Sequence, residues 1–297
     1  MTLADLVEEY LLLWILLSVA LGIAVPRLAV VTRVSTLVLA VMIGSISLTL
    51  SVAQFRRIDR RTLGFVLLGH VTMPFLAAGV ARGLGLSPEL TVGFVVLGAV
   101  TPELVTPVMT DLAGGDTALA TATLILAGVG SVGFVPAVVA VLGGVDVPVL
   151  PLVEQLLVAV VVPMVAAVGL RTWQPARVGR YDDYYPAVSA AMVIVIIGGV
   201  TAANAGVVRS NVSLLVGVVI GAVVPNGAGY GVGYLVGSRT SRPARTASVL
   251  SVGMRDFAVA AALVIAAGLP TVASLPAVAF GVVEMVTSAA LAAWVAR

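Results

Sequence analysis

Long, uninterrupted runs of apolar residues dominate this chain and leave few folds open to it. Hydrophobic residues make up 60% of its 297 residues and charged residues only 10%, and the mean hydropathy is +1.17. A soluble domain carries roughly 25% charged residues. The runs therefore predict an all-α polytopic membrane protein, and they exclude a long soluble domain, a nucleic-acid-binding protein and a disordered chain. The runs do not alternate with period two, which disfavours a β-barrel.

Ten apolar runs approach or exceed the roughly 20 residues that a membrane-spanning helix needs, and we number them as spans 1 to 10. Their predicted ranges are 9–25, 35–55, 63–83, 88–113, 117–143, 149–171, 185–204, 210–237, 244–268 and 271–296. The acidic start MTLADLVEEY lacks the basic region of a signal peptide, so span 1 is expected to be retained. The chain has no cysteine, which excludes disulfides and thiolate metal sites.

The loop arginines predict the orientation, because positively charged residues accumulate in cytoplasmic loops. With a cytoplasmic N-terminus, the cytoplasmic loops hold eleven arginines, namely Arg56, Arg57, Arg60, Arg61, Arg171, Arg177, Arg180, Arg239, Arg242, Arg245 and Arg297. The opposite face then holds four, namely Arg27, Arg33, Arg82 and Arg209. We therefore expect a multi-pass protein of the plasma (cytoplasmic) membrane with both termini in the cytoplasm.

The order of the spans predicts two related halves, residues 1–143 with spans 1 to 5 and residues 144–297 with spans 6 to 10. In each half a short arginine-bearing loop separates the first two spans, and the fourth span is interrupted. Because each half has five spans, the second half enters the membrane in the opposite direction. Inverted repeats with interrupted helices are typical of secondary transporters, in which substrate and ion sites lie at these interruptions.

Span 4 carries two prolines and a carboxylate within its apolar run. Pro102 and Pro107 each remove a backbone donor and disturb the preceding turn. The order Thr101, Pro102 and Glu103 resembles a helix start, with a cap, a proline at the first helical position and an acid in the first turn. We therefore predict a true break that restarts here, and a simple proline kink is the alternative.

Span 9 is interrupted by a glycine that is followed by two charges. Gly253 permits unusual backbone angles, and Arg255 and Asp256 lie in an otherwise apolar stretch. A charge at the bilayer centre costs at least about 2.5–3.5 kcal/mol, so such residues pair with each other or line a cavity. We expect a midplane site where the two broken helices meet, with Arg255 paired to Glu103 or Asp256. An ion pair with a purely structural role is the alternative.

Two further polar side chains and a row of glycines lie inside apolar spans. Glu284 is midway along span 10, where an unpaired carboxyl group needs a proton or water. His70, the only histidine, lies in span 3, and a hydrogen-bonded packing role is the alternative to a functional one. The glycines spaced by four along span 8, from Gly217 to Gly237, indicate close helix packing.

These segments resemble the bile acid:sodium symporter family, within the larger group that also holds arsenite exporters and auxin-efflux-like carriers. The stretch 88–116, which ends VMTDLAGGD, is similar to the family's fourth helix, and SVGMRDFAVAAAL and FGVVEMVTSAAL are similar to motifs of its ninth and tenth helices. The resemblance implies that broken helices 4 and 9 cross, with a panel domain of helices 1, 2, 6 and 7 and a core domain of helices 3, 4, 5, 8, 9 and 10. It also implies two sodium ions behind the crossing and an organic anion in front of it.

The residues that bind sodium in the family are largely replaced in this chain. The matching positions carry Thr106, Pro107, Ser251, Met254 and Arg255, together with Gly69, Ala127 and Gly128 on the third and fifth helices. A sodium ion needs several hard oxygen ligands, whereas one of these positions now carries a guanidinium. We therefore expect the family's sodium sites to be absent, with the fixed charge of Arg255 where an ion would lie.

The positions that face the substrate in the family also differ. The family's asparagine on helix 9 falls on Asp256, and its His-Asn pair on helix 10 falls on Glu284 and Met285. Together with Glu103, these changes give three carboxylates against one arginine, which disfavours a large amphipathic anion and favours a neutral or zwitterionic solute. The expected substrate and coupling site consists of His70, Glu103, Thr106, Arg255, Asp256 and Glu284.

The resulting hypothesis is a secondary active transporter of a small organic solute that works by alternating access of core against panel. We expect it to be proton-coupled or uncoupled, with the solute, the lipid bilayer and protons, in preference to sodium, as its partners. A sodium-coupled organic-anion symporter with rearranged ligands is one alternative, and a membrane binding or sensor protein that has lost transport is another. An enzyme is disfavoured, because no DxxxD, GxSxG or HExxH motif occurs. No catalytic residue, cofactor or metal site is predicted.

Overall fold

The structure is a computed structural model that describes residues 10–51, 58–145, 147 and 149–295, with the backbone alone for residues 292–295. Throughout these ranges the chain is helical and contains no β-strand. Eight helical segments in the described part are long and apolar enough to cross a membrane, and two further apolar helices are shorter. The protein is therefore a multi-pass helical membrane protein. Of the arginines used to predict orientation, Arg56, Arg57 and Arg297 lie outside the described residues.

We label the main helices α1 to α12 in chain order. Their bounds are α1 Leu11–Ala24, α2 Ser35–Ser47, α3 Arg60–Gly83, α4 Pro88–Ala99, α5 Thr106–Leu112, α6 Thr117–Leu142, α7 Val149–Trp173, α8 Tyr185–Ala203, α9 Val212–Gly237, α10 Arg242–Gly253, α11 Phe257–Ala266 and α12 Leu275–Val295. Shorter helical turns lie at Pro26–Val34, Pro175–Val178, Gly179–Tyr181, Ala205–Ser210 and Thr271–Ser274. Predicted spans 4 and 9 are each divided, into α4 with α5 and into α10 with α11.

Span 2 differs most from its predicted range of 35–55. Its helical structure begins at Pro26, as a 3₁₀ turn that leads into α2, and α2 ends at Ser47. A proline suits the start because its backbone angle is already helical and its missing N–H has no partner to lose there. At the other end, the N–H groups of Leu48, Thr49 and Leu50 each bond a carbonyl three residues back, which tightens and closes the last turn.

Side-chain caps begin six of these helices. The capping residues accept hydrogen bonds from backbone N–H groups in the first turns of α3, α4, α6, α9, α10 and α11, and they are Asp59, Ser87, Asp116, Asn211, Ser241 and Asp256. Such oxygens satisfy N–H groups that have no partner within the helix. Five of the caps lie outside or at the ends of the predicted spans. Asp256 is the exception, because it begins a helix in the middle of span 9.

Most of the helices pack in two groups, and α11 contacts both of them. In the first group, α8 packs against α1, the turn Pro26–Val34 and α2, and α2 packs against α7. In the second group, α9 packs against α3, α10 and α12, and α3 packs against α4. Helix α11 contacts α2 and α8 on one side and α4 and α12 on the other. The short helix that follows the break in span 9 therefore connects the two groups.

The spaced glycines of α9 bring α10 unusually close. A Cβ at Gly233 would lie 2.5 Å from the carbonyl oxygen of Ser248, and one at Gly237 would lie 2.9 Å from the Cα of Arg245. Only glycine can occupy positions where two backbones approach to this distance. The interpretation of these glycines as packing residues is confirmed.

Candidate functional site

Two interruptions of the helical structure meet at one place, which we call the crossing and define as residues 100–105 and 254–256. The first segment separates α4 from α5, and the second separates α10 from α11. The backbone N–H of Asp256 donates to the carbonyl oxygen of Thr101 over 3.0 Å. The two non-helical segments are therefore joined directly, backbone to backbone. Nearly all of their residues are buried.

Within span 4, the chain resumes its helix later than predicted. The expected restart was at Pro102 with Thr101 as its cap, whereas α5 begins at Thr106 and has Pro107 in its first turn. The carbonyl of Thr101 is used instead by the N–H of Asp256. Because the Thr101 carbonyl is used in this tertiary hydrogen bond, it is not the first acceptor of a helix at Pro102, and Pro107 supplies the proline that suits a first helical turn.

The side chain of Arg255 is enclosed at the crossing, with an exposed fraction of 1%. Its Nη1 donates to the carbonyl oxygen of Val100 over 3.2 Å, and its Nη2 donates to that of Val252 over 3.0 Å. Nη1 also lies 2.5 Å from Nδ1 of His70. Because a guanidinium can only donate hydrogen bonds, the imidazole nitrogen that faces it must be an acceptor.

The guanidinium of Arg255 lies at the carboxyl-terminal ends of two half-helices. Val100 follows the last residue of α4, and Val252 belongs to the last turn of α10. Unpaired carbonyl groups give such ends a partial negative charge, which stabilises a nearby cation by about 0.3–1 kcal/mol, or about 2 kcal/mol where it is partly buried. In transporters, the carbonyl ends of broken helices also hold sodium ions. Arg255 therefore places its charge where such carbonyl groups can stabilise a cation.

The expected pairing of Arg255 with Glu103 or Asp256 is wrong. No carboxylate oxygen lies within 4.0 Å of the Arg255 side-chain nitrogens in the described part of the chain. The one ion pair found there joins Arg171 to Asp182, two partly exposed side chains far from the crossing in sequence. Carbonyl groups that the broken helices leave free take the place of the expected carboxylate partner.

Glu103 and Asp256 in the crossing, and Glu284 beside it, bond backbone N–H groups instead of the guanidinium. Glu284 on α12 accepts a hydrogen bond from the backbone N–H of Arg255 over 2.7 Å. Asp256 caps α11 by accepting from the N–H of Val259 over 2.8 Å. Glu103 is buried in the segment between α4 and α5. These three carboxyl groups therefore surround the crossing without forming an ion pair with Arg255.

Buried polar atoms that lack a hydrogen-bond partner concentrate at the crossing. Of ten such side-chain atoms in the described residues, seven lie in the crossing or in the helices next to it, on Thr101, Glu103, Thr110, Ser251, Arg255, Asp256 and Glu284. An unpaired polar atom in a protein interior costs about 1–3 kcal/mol. Six of these seven atoms are oxygens, so the crossing can offer hydrogen-bond acceptors and hard ligands to a solute, a proton or a cation.

The other residues of spans 4 and 9 that the family resemblance matches to sodium ligands are also buried in or beside the crossing. The hydroxyl of Thr106 lies 3.9 Å from the sulfur of Met254. Pro107 is in the first turn of α5, and Ser251 is in the last turn of α10. Among the described residues, no group of three or more histidine, aspartate or glutamate side chains could hold a metal ion. A cation at this place would therefore need hydroxyl and carbonyl oxygens in addition to carboxylates.

Three polar residues that sequence reasoning missed extend the site toward α9. The hydroxyl of Thr287 donates a hydrogen bond to Oδ1 of Asn226 over 2.8 Å. The hydroxyl of Tyr230 lies 3.3 Å from the hydroxyl of Thr287. Asn226 in turn donates to the carbonyl oxygen of Gly253 over 3.4 Å. An asparagine inside an apolar span was the signal that could have identified this extension, because polar side chains are rare there. Thr287 lies one turn beyond Glu284 on α12.

Comparison with known proteins finds one family and one curated protein to which this chain is similar. A family model described as the Sodium Bile acid symporter family matches residues 36–213, which is more than half of the chain. The chain is also similar to the uncharacterized sodium-dependent transporter YocS of Bacillus subtilis (strain 168). The two are 27% identical over 290 residues, which cover 95% of this chain and 89% of YocS. The family match includes the first half of the crossing.

Proposed function

Because the chain belongs to the sodium bile acid symporter family, we propose that it is a secondary active transporter that moves a small organic solute through the crossing. The observation that carries this proposal is the concentration of buried, unpaired polar atoms where two interrupted helices meet. Irregular backbone at membrane depth is tolerated where protein covers it or where it lines a cavity. Transporters place substrate and ion sites at such breaks.

The coupling that the site supports best does not use the family's sodium ions. The guanidinium of Arg255 already bonds the carbonyl groups of Val100 and Val252. These groups are of the kind that hold sodium at helix breaks, and an ion beside the guanidinium would be repelled by its charge. The buried carboxyl groups of the crossing are then the groups that can carry protons. The transporter is therefore proposed to be proton-coupled or uncoupled, with a neutral or zwitterionic solute.

Sodium-coupled transport is the second candidate, and two observations favour it. YocS, which is similar over 95% of this chain, is described as sodium-dependent. The unpaired buried oxygens of the crossing are also hard ligands of the kind that sodium binds; they are carried by Thr101, Glu103, Thr110, Ser251, Asp256 and Glu284. If transport is sodium-coupled, the ion would lie beside the carboxylates of Glu103, Asp256 and Glu284. Arg255 would then be a nearby charge with a structural role.

The response to sodium separates the two candidates. Purified protein in proteoliposomes is given sodium or choline as the only cation at equal ionic strength. Thermal stability and uptake of a panel of labelled neutral, zwitterionic and anionic solutes are then measured. Sodium-independent transport predicts equal stability and uptake in both salts, and a pH gradient drives uptake if protons are coupled. Stabilisation or uptake specific to sodium supports the second candidate and contradicts the first.

A double variant tests the role of Arg255 in this choice. Arg255→Gln together with Ser251→Glu gives the residues that the family carries at these two positions. The double variant should be stabilised by sodium and not by choline, whereas Arg255→Gln alone is the matched control and should show no such preference. If sodium stabilises the unaltered protein as strongly as the double variant, the guanidinium does not replace the ion.

The proposed mechanism is alternating access between two layers. The panel would consist of α1, α2, α7 and α8, which pack against one another, and the core would consist of α3 to α6 and α9 to α12. Ten spans in two inverted repeats, residues 1–143 and 144–297, would relate the two broken helices. Both termini would lie in the cytoplasm, with the protein in the plasma membrane.

Introduced cysteines can test this topology, because the chain has none of its own. Ala176→Cys and Ser210→Cys replace exposed residues between α7 and α8 and between α8 and α9, two connections that are predicted to lie on opposite faces of the membrane. A membrane-impermeant maleimide added outside intact cells should label Ser210→Cys, and Ala176→Cys should react only after the membrane is opened. Labelling of both positions from the same side contradicts the proposed orientation.

A further inference from the structure

A cavity lies along α10, between its first turn and the residues that precede the crossing. Its volume is about 540 Å³, which is within the range of about 300–1,000 Å³ typical of small-molecule sites. Residues of α9 and α10 form its two long walls, and Ala113 and Leu291 close it from the ends of α5 and α12. None of the residues predicted for the transport site lines this cavity.

One end of the cavity is positively charged. Arg242 and Arg245 line it from the first turn of α10, and none of the lining residues that the structure describes is acidic. The guanidinium of Arg245 lies 5.5 Å from the centre of the Tyr234 ring, a cation–π contact that holds it toward α9. Arginine side chains bind phosphate and carboxylate groups with paired hydrogen bonds. This end of the cavity therefore has the chemistry to recognise an anionic group.

The other end of the cavity is apolar. Val249 and Leu250 line it one to two turns further along α10, and Leu291 faces them from α12. A helix rises about 1.5 Å per residue, so the apolar wall begins roughly 6 Å beyond Arg245 and roughly 10 Å beyond Arg242. A ligand that uses the whole cavity must therefore carry an anionic head and a hydrocarbon body.

The position of the arginines places the charged end at the edge of the membrane. Arg242 is the first residue of a helical segment that is long and apolar enough to cross the bilayer. Tyr234 is 54% exposed and Leu235 is 69% exposed, so this part of α9 faces outward. Tyrosine is enriched at the level of lipid headgroups, and arginine accumulates just beyond the ends of membrane helices. The apolar end of the cavity then extends in the direction of lipid acyl chains.

We propose that this cavity binds an anionic phospholipid, with its phosphate on Arg242 and Arg245 and an acyl chain along Val249 and Leu250. Basic pockets between membrane helices at the membrane edge bind anionic headgroups. A free anion would use the arginines and leave the apolar wall unused, whereas an uncharged lipid would do the reverse. An anionic lipid is the ligand that matches both ends in the order in which they occur.

The bound lipid would also stabilise the end of α10 that forms the crossing. Tyr230 lines the cavity, and a Cβ added at Gly253 would lie 2.1 Å from the Cδ1 of its ring. The hydroxyl of the same tyrosine lies 3.3 Å from that of Thr287. A lipid that packs beside the Tyr230 ring would restrict the movement of that ring against Gly253. Lipid binding in the cavity should therefore raise the melting temperature of the protein.

The test compares lipids of different charge on the purified protein in a non-ionic detergent. Phosphatidylglycerol, phosphatidylcholine with the same acyl chains, and inorganic phosphate are added in separate arms, and the melting temperature and the lipid retained in native mass spectra are measured. Phosphatidylglycerol should raise the melting temperature and be retained, and the other two should do neither. An equal shift with phosphatidylcholine, or a full shift with phosphate alone, would overturn the proposal.

Three variants locate the effect in the cavity. The double variant Arg242→Gln/Arg245→Gln should weaken phosphatidylglycerol binding roughly thirtyfold. Each arginine near the membrane surface strengthens the binding of an anionic lipid about fivefold. Arg239→Gln removes a charge from the same loop outside the cavity, and it should bind like the parent. Val249→Trp keeps both arginines but fills the apolar wall, so it should also lose the lipid-specific shift. Unchanged binding by both cavity variants would overturn the assignment.

Discussion

Replacing Arg255 by glutamine should destabilise the protein far more than removing a charge from its surface. The guanidinium bonds the carbonyl groups of Val100 and Val252 and contacts His70. A buried partner that is left unpaired costs about 1–3 kcal/mol, so three partners give a gross loss of roughly 3–9 kcal/mol. The loss is partly offset because a charge no longer has to be buried and because the glutamine amide can keep one carbonyl bond. We expect a net loss of about 2–4 kcal/mol.

The free energy of unfolding can be measured by titration with dodecyl sulfate, with tryptophan fluorescence as the signal. Arg171→Gln is the matched control, because Arg171 pairs with Asp182 where the two side chains are 20% and 40% exposed. Exposed ion pairs contribute about 0–1 kcal/mol, so this variant should remain close to the parent. Combining Arg255→Gln with His70→Val completes a double-mutant cycle. Contacting residues should show a coupling of about 0.5–3 kcal/mol.

Two results would refute this reasoning. The first is an Arg255→Gln protein that unfolds at the same detergent fraction as Arg171→Gln. The second is a cycle in which the effects of Arg255 and His70 simply add. Either result would mean that the guanidinium does not hold the two half-helix ends together, and the argument for an internal cation would lose its structural basis.

Two further predictions concern close packing and a helix cap. A Cβ at Gly253 would lie 2.1 Å from Cδ1 of Tyr230, so Gly253→Ala should lose about 1–3 kcal/mol of stability. Gly227→Ala is the control and should keep its stability, because a Cβ at Gly227 would meet nothing within 4 Å. Equal melting temperatures of the two variants would contradict the close approach of Gly253 to Tyr230. The Thr62 hydroxyl, followed by backbone N–H groups, lowers the pKa of Asp59 in the folded protein. The ionised Asp59 carboxylate therefore stabilises the folded protein fully above the ordinary pKa of an aspartate. This stabilisation is lost as the pH falls through the lowered pKa of the folded state. Asp59→Asn should remove this part of the acid sensitivity in melting curves recorded below about pH 5, and an unchanged pH profile contradicts it.

The two interruptions were predictable from sequence because their signals are local. Pro102 and Pro107 remove backbone donors, and Gly253 precedes adjacent charges in an apolar run. Each of these features disfavours a continuous helix whatever the rest of the chain does. The meeting of the two breaks followed from the repeat pattern and the family resemblance, and the hydrogen bond between Asp256 and Thr101 joins them in the structure.

The partners of Arg255 could not be predicted, because two of them, His70 and Val100, are distant in sequence and two, Val100 and Val252, are bonded through backbone carbonyl groups. His70 is 185 positions away along the chain, and Val100 is 155 positions away. A carbonyl oxygen is present at every residue, so no residue type marks the one that a guanidinium will use. The late start of α5 has the same origin, since the Thr101 carbonyl bonds a residue in the other half of the chain.

The covalent attachment of a cation at the crossing has an electrical consequence. A sodium ion that crosses the membrane carries one elementary charge through the potential, which is worth about 2.3 kcal/mol per 100 mV and can drive uphill transport. The guanidinium of Arg255 remains attached to the chain. Any movement of this charge through the electric field in one half of a transport cycle is therefore reversed in the other half. It adds nothing to the net current per turnover, and the membrane potential acts through it on the rates of the two half-cycles alone. A transporter of the sodium-independent kind proposed above would concentrate its solute only as far as the solute's own charge and any accompanying proton allow.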